Sequence, residues 1–369
     1  MPRSLQPDRQ LFVATLAMCL MGAVMVFSAS AVTASDQYGN AYVFLLRQLV
    51  FAALGVAGMF WLMNVDYRKL RQPRVIFTGL GATVILLIAV FFLDRSHATH
   101  RWIRLGPLSL QPSEMAKLVV IFFLAWFLEI RRARRRAGVN QFVDTLLPAL
   151  GTVALIVALI LAEPDMGTAC MIAFIAAVML FVADISLRYI LPVALAALPA
   201  IYLLIVRVPY RLERVQAFFS PGADPQGRGF QLLQSLIAVG SGGFSGVGLM
   251  ESRQKLFYLP EAHTDFIFAV ICEEIGFMGA IVVLTLFAVY GWRGLVAAMK
   301  APDDFGRFLG LGITTLVVGQ ALINLSVVLG LMPTKGIPLP FISYGGSSLL
   351  GTLLATGVLL NISQHAEDT

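Results

Sequence analysis

Apolar residues along this chain gather into long blocks separated by short polar segments. Ten blocks reach or approach the ~20 residues that a helix needs to cross a bilayer. They fall at 11–31, 42–63, 75–93, 114–130, 145–162, 168–184, 187–206, 266–290, 305–330 and 346–362. The pattern predicts an all-α polytopic membrane protein, a bundle of ten transmembrane helices. No hydrophilic block is long enough for a separate soluble domain, so 1–369 reads as a single integral membrane unit. There is no internal repeat, low-complexity tract or heptad array.

An even number of spans puts both termini on one side, and the basic residues of the short loops choose it. Arg68, Lys69, Arg71 and Arg74 follow the second block, and Arg131, Arg132, Arg134, Arg135 and Arg136 follow the fourth. Arg188, Arg293 and Lys300 fall on the same side as Arg3 and Arg9. Lys and Arg favour cytoplasmic loops, so both termini are expected in the cytoplasm. The outer loops are then 32–41, 94–113, 163–167, 207–265 and 331–345. The large extracytoplasmic loop between helices 7 and 8, 207–265, is by far the longest, and loops beyond ~12–15 residues are usually functional or disordered. Within it, 231–239 is too short to span and suits the membrane interface. The run at 11–27 exceeds a signal peptide's ~7–15 apolar residues and reads as an uncleaved first helix.

Composition agrees with the pattern. The 369 residues are 58% apolar and 13% charged, with mean hydropathy +0.82; soluble domains carry about 25% charged residues. The net charge of +6 would suggest nucleic acid in a soluble protein. Here the cytoplasmic loops account for much of it. Cys19, Cys170 and Cys272 all lie in apolar blocks and have no metal-ligand spacing. Nothing matches a zinc site, a nucleophile elbow, a Ser-His-Asp arrangement or a nucleic-acid module.

Candidate chemistry gathers around 258–276, YLPEAHTDFIFAVICEEIG, where a polar segment runs into an apolar helix. Asp265 stands on that boundary. It has two compatible readings: a cap for the helix that follows, or a general base with a raised pKa at the rim of an apolar cavity. Glu273 and Glu274 lie about 12 Å further along the helix and point about 100° apart, so each needs its own partner. That depth is too great for Asp265 and Glu273 to form a glycosidase pair. His263 reads as a loop hydrogen-bonder. Glu114 and Lys117 are three residues apart, suited to a buried ion pair or to a polar cavity wall. Arg47 is another intramembrane charge in need of a partner. In the turn 163–167, EPDMG, Asp165 is placed to cap the next helix. The run 240–248, GSGGFSGVG, lacks a phosphate loop's Gly-Lys-Ser/Thr ending and suits close packing or a backbone anion nest. The segment 332–348, MPTKGIPLPFISYGGSS, cannot be continuous helix, and its closing glycines allow the last helix to approach a neighbour closely. The long outer loop also carries Arg207, Arg211, Arg214, Arg228, Arg253 and Lys255. These suit lipid phosphates or an anionic substrate.

Several long motifs, in order along nearly the whole chain, make it resemble the SEDS family (shape, elongation, division, sporulation). They are RWIRLGPLSLQPSEMAK at 101–117, EPDMG at 163–167, the stretch from RLERVQAFF to SGVG at 211–248, QKLFYLPEAHTDFIFAVICEEIG at 254–276 and PTKGIPLPFISYGGSS at 333–348. DPQGRGFQLLQS, LPEAHTDF and PTKG look more like the division branch or its sporulation relative than the rod-elongation branch. The resemblance implies a ten-helix fold and a peptidoglycan glycosyltransferase of the bacterial cytoplasmic membrane, acting on lipid II, a disaccharide-pentapeptide on undecaprenyl diphosphate. It places the family's essential acid on Asp265 and its polar fourth-helix residues on Glu114 and Lys117. The candidate substrate-binding residues are Arg101, Glu114, Lys117, Asp165, Arg211, Lys255, His263, Lys335 and Ser343. It implies no resident cofactor and leaves room for a divalent cation at the diphosphate. It also implies a partner, a class B penicillin-binding protein, with other divisome proteins around the pair. Two rival readings share the same residues: a lipid II flippase using the intramembrane charges as a path, and a non-catalytic scaffold that activates the transpeptidase.

Overall fold

Each apolar block folds into helix because nothing else satisfies its backbone without water. In a computed structural model, the structure describes residues 6–94, 100–105, 108–133, 140–223, 227, 229–256 and 258–366. Arg3, Arg134, Arg135, Arg136 and Arg228 lie outside the described residues. The first three helices are α1 (Arg9–Tyr38), α2 (Val43–Met63) and α3 (Pro73–Leu93). A short antiparallel hairpin, β1 (Ile103–Leu105) and β2 (Leu108–Leu110), pairs Arg104 with Ser109 inside the segment expected as a loop. Then come α4 (Pro112–Ala133), α5 (Leu147–Ala162), α6 (Met166–Val182) and α7 (Leu187–Val206). The long 207–265 segment contributes α8 (Pro209–Phe219) and α9 (Phe230–Ser241), so the 231–239 stretch is helical. The chain ends with α10 (Ile267–Met299), α11 (Asp304–Val328) and α12 (Gly346–Gln364).

Among the described residues eight helical segments are long and apolar enough to cross a membrane, α5 qualifying because a π-helical turn, Phe142–Leu146, extends it to Phe142–Ala162. Two of the ten expected spans fall outside that set for local reasons: α4 carries Glu114, Lys117, Glu129, Arg131 and Arg132, and α6 has only 17 residues. Side-chain caps hold several starts. Asp8 accepts from the amides of Gln10 and Leu11 at α1, and Asp303 accepts from Gly306 at α11. The core lies where α10, α11 and α12 meet α1, α2 and α4, and Phe268, Phe305, Phe308, Tyr290 and Ile121 are fully buried there. At the other extreme, α7 buries no residue.

One helix is interrupted. Gly276 adopts φ 72, ψ −159 inside α10, which frees backbone groups on either side. The glycine-rich 240–248 run supplies their partners. Val247 and Gly248 donate to the carbonyls of Glu273 and Glu274 (2.9 and 3.0 Å), and Phe277 and Met278 donate to those of Gly243 and Phe244 (2.9 and 3.3 Å). A Cβ on Gly246 would lie 2.1 Å from the Glu274 carbonyl oxygen, and one on Gly242 would lie 1.8 Å from that of Cys272. Of the two roles open to this run, the structure shows close packing.

Candidate active site

A cavity of about 390 Å³ opens among α2, the β-hairpin, α4, α6, the loops before α10 and α12, and the start of α12. Its wall includes Asp265, Glu261, Glu114, Asp165, Arg101 and Arg47.

Asp265 is held there by its backbone. The carbonyl of His263 accepts from the Tyr344 amide (3.0 Å), that of Thr264 from the Ser343 hydroxyl (2.5 Å), and that of Asp265 from Asn324 Nδ2 (2.7 Å). Three successive carbonyls are thus tied to the loop before α12 and to α11. Gln320, one turn before Asn324 on α11, donates to the Pro338 carbonyl (2.9 Å), and Asn324 donates also to that of Ile337 (2.8 Å). This brings Gly336 against the acid: a Cβ there would sit 3.1 Å from Asp265 Oδ2.

The Asp265 carboxylate itself accepts no hydrogen bond among the described residues. The helix-cap reading is therefore corrected: Phe266 occupies the N-cap of α10, and no side chain caps that helix. The acid stands one residue short of the cap and faces the cavity. Burial, first, and then the negative charge of Glu261 push its pKa up to about 7, with Arg214 acting in the opposite sense. Both causes disfavour the charged form. Glu261 is exposed and accepts from the Thr264 hydroxyl through Oε2 (2.9 Å).

The other acids on the wall are committed. Asp165 caps α6, accepting from the Thr168 amide (3.1 Å) and hydroxyl (2.7 Å), from Gln111 Nε2 (3.0 Å) and from the Ser113 hydroxyl (3.3 Å). Glu114 forms a buried ion pair with Lys117 (2.8 Å), whose Nζ donates also to Gln320 Oε1 (2.8 Å). Arg101 lines the cavity, but its guanidinium donates to the carbonyls of Glu163 (3.0 Å through Nε) and Pro164. Glu163 is fully buried at the end of α5, with neither carboxylate oxygen hydrogen-bonded among the described residues. Burial and then Asp165 raise its pKa to about 8, against Arg101.

The remaining candidate residues lie off the cavity wall. Lys255 is buried and bridges Glu274 (2.9 Å) and Ser28 of α1 (3.3 Å). Glu273 takes the Ser252 hydroxyl (2.5 Å) and the Arg253 amide (3.1 Å), so the two adjacent glutamates do find separate partners. Arg211 is buried and donates to the Leu204 carbonyl (3.1 Å). The half-buried His263 ring packs on Phe44 (4.8 Å) and Tyr344 (5.7 Å), and burial lowers its pKa. Lys335 is half-buried, and its carbonyl closes a turn onto the Ile337 amide (3.1 Å). Ser343 acts through Thr264 and the Leu339 amide (2.8 Å). In the opposite direction, Arg47 and Glu261 line the cavity but were not among the candidates. Arg47 stands over the Tyr38 ring (5.6 Å) and beside the Tyr344 hydroxyl. The signal for it was a lone charge inside an apolar block, which spacing could not connect to residues some 300 positions away.

The chain matches a family model described as "Cell cycle protein", for FtsW, RodA and SpoVE, over residues 9–368. It is 42% identical to stage V sporulation protein E of Bacillus subtilis over 361 residues, 98% of each chain. It is 42% identical over 365 residues to a probable peptidoglycan glycosyltransferase FtsW of Geobacter metallireducens, covering 98% of this chain and 96% of that one. Among solved structures it resembles a chain from a study of how a peptidoglycan synthase complex coordinates polymerization and crosslinking. There the TM-score is 0.76 and the identity 34%, over 97% of both chains. The rod shape determining protein RodA of Thermus thermophilus gives 0.72 and 30%, over 100% of both.

Proposed function

Because the chain belongs to the family of FtsW, RodA and SpoVE cell cycle proteins, we propose that it polymerises lipid II into glycan strands, with Asp265 as the general base. The protein is a multi-pass membrane protein and a peptidoglycan glycosyltransferase. In this reading α1–α7 and α10–α12 are the ten spans of a single membrane domain covering 1–369. Both termini face the cytoplasm, and the 207–265 segment and the cavity face the outer side of the bacterial cytoplasmic membrane. A class B penicillin-binding protein crosslinks the product, within a larger divisome.

The observation that carries the mechanism is a carboxylate fixed by its backbone at a cavity wall, free of hydrogen bonds among the described residues and poised near pH 7. A base of that pKa is half ionised at neutral pH and well matched to proton abstraction. Asp265 takes the proton of the acceptor sugar's 4-hydroxyl. The alkoxide oxygen attacks the donor's anomeric carbon from the face opposite the diphosphate, and the configuration inverts from α to β. The C–O bond to undecaprenyl diphosphate breaks, its electron pair leaving with the diphosphate, and Asp265 passes its proton to water. One base suffices because the acceptor itself is the nucleophile. Cations and fixed dipoles stabilise the charge gathering on the leaving group. Arg101 and Arg47 stand on the same wall, and a divalent cation bound to the diphosphate would add to them.

The state of the other charges supports polymerisation over transport. Glu114–Lys117 and Glu274–Lys255 are closed ion pairs, with Gln320 and Ser28 taking further bonds. A translocation path would need such groups open to cargo. The test is Asp265→Asn in the purified chain with its transpeptidase partner, with transpeptidation blocked. Polymer formation from lipid II should fall by about 10²–10⁴, while the melting temperature holds. Full polymerisation by the variant would overturn the assignment.

A further inference from the structure

We infer that the first turn of α12, through the hydroxyls of Ser347 and Ser348 and with Arg47 beside it, is the cradle for the diphosphate of the lipid-linked sugar donor. This rests on the polymerase reading and gives its leaving group a place.

A helix begins with backbone amides that have no partner within the helix, and the summed peptide dipoles make that end positive. In α1, α6 and α11 a side chain closes it. At α12 the N-cap is Gly345, which has no side chain to offer; among the described residues only the Gly345 amide of this turn meets a side chain, Gln48 Oε1 at 3.5 Å. The turn does not point into the core: Gly345, Gly346, Ser347 and Ser348 all line the cavity that holds Asp265.

The two serines point independently to a ligand. Ser347 is 1% exposed and Ser348 is 8% exposed, yet neither hydroxyl has a hydrogen-bond partner among the described residues. The same helix shows what an unoccupied hydroxyl does there. Thr352 donates back to the Ser348 carbonyl (2.6 Å) and Thr356 to that of Thr352 (2.8 Å). A buried hydroxyl left without a partner carries a desolvation cost. Ser347 and Ser348 instead keep hydroxyls that reach the cavity, where a bound acceptor would pair with them.

The polar groups nearby show which acceptor. Lys117 is consumed by Glu114 and Gln320, and Arg101 by two backbone carbonyls. Arg47 is in no ion pair among the described residues; its guanidinium lies over Tyr38 and beside the Tyr344 hydroxyl. One turn further along α2, the Phe51 ring packs against Gly346, where a Cβ would come within 2.3 Å of it. Arg47 therefore stands at the same end of the cavity as the open turn. Backbone amides, two neutral hydroxyl donors and one guanidinium suit a multiply charged phosphate, whose oxygens accept from several directions at once.

The placement also suits the chemistry. Asp265 rests on the wall built by 336–338, and the cradle lies where α2 meets α12. In an inverting displacement the base serves the incoming oxygen and the cradle serves the departing one, on opposite faces of the sugar. Building the two sites from different elements allows that separation.

The test measures binding and not turnover. Purified full-length chain in detergent is titrated by equilibrium dialysis with a labelled short-chain polyprenyl diphosphate and with the polyprenyl alcohol of the same length. Ser347→Ala/Ser348→Ala should weaken the diphosphate by at least about tenfold, as expected for lost hydrogen bonds to a charged acceptor. Binding of the alcohol should be unchanged, which reports an intact fold and lipid groove. Ser347→Thr/Ser348→Thr should restore the diphosphate, and Arg47→Gln should weaken it alone. Asp265→Asn should bind the diphosphate no more weakly than the parent does. A double-alanine variant with diphosphate affinity within twofold of the parent overturns the cradle even if Asp265→Asn abolishes polymerisation. If polymerisation survives Asp265→Asn while the double-alanine variant loses the diphosphate, the mechanism fails and the cradle stands. Displacement of the diphosphate by phosphatidylglycerol at comparable concentration would also overturn the assignment, since the turn would then be reading a phospholipid headgroup.

Discussion

The pH dependence of polymerisation follows from the surroundings of Asp265. Its pKa is raised to about 7, first by burial, then by the charge of Glu261 and more weakly by Asp165, against the opposing charge of Arg214. Only the ionised form can accept the acceptor's proton. With that value, about a tenth of the free enzyme is active at pH 6 and about nine-tenths at pH 8, so kcat/KM should rise about tenfold across the interval. Two substitutions should move the acidic limb in opposite directions. Glu261→Gln removes a negative neighbour, yet its side-chain oxygen can still accept from the Thr264 hydroxyl. The limb should move to lower pH. Arg214→Gln removes the positive neighbour, which donates to the Thr334 carbonyl at 3.4 Å. Here the limb should move to higher pH. The assay is the initial rate of lipid II polymerisation at subsaturating substrate, from pH 5.5 to 9, with fixed ionic strength. A profile that is flat between pH 6 and 8, or one that both variants move the same way, would refute Asp265 as the titrating base.

Two further outcomes concern stability. Glu163 has its pKa raised to about 8 from an ordinary 4.5, so the folded chain keeps a proton that the unfolded chain releases between those values. Stability should therefore decline as pH rises through that window, by a ceiling of about 5 kcal/mol. The Glu163→Gln melting temperature, minus that of the parent, should grow from pH 5 to pH 9; an unchanging difference would contradict a buried, protonated Glu163. Glu114→Ala should cost about 3–5 kcal/mol, because it leaves the Lys117 ammonium buried with only Gln320. Adding Lys117→Met should recover most of the loss in thermal melts, and a double variant as unstable as the single one would show that the ion pair is not the cause.

The all-helical, multi-pass character was legible because length and hydropathy decide it with little help from tertiary context. Asp265, Glu114, Lys117 and Asp165 stood out because polar groups at the edge of apolar blocks need a reason to be there. The EPDMG cap and the Glu114–Lys117 pair are local in sequence, and the structure has them as the spacing implied. Partners far apart along the chain were not legible. Lys255 looked like an outward cation, but Glu274 lies beside it on the broken helix and Ser28 approaches from α1. Asp265 looked like a cap because nothing local tells whether the helix starts at 265 or two residues later. The anchors that decide its position, Asn324 and Ser343, come from elements that fold against it only in three dimensions.

The break at Gly276 makes α10 two rods. The upper one, ten residues long, has the acid just ahead of its first turn and the glycine run's backbone bonds at its foot. Its tilt is thus set by a segment arriving from the side, as a keystone sets the lean of the block above it, and the 23 residues below the break have little say. One added residue between 242 and 248 would shift the foot of the upper rod, and the carboxylate at its head would move with it.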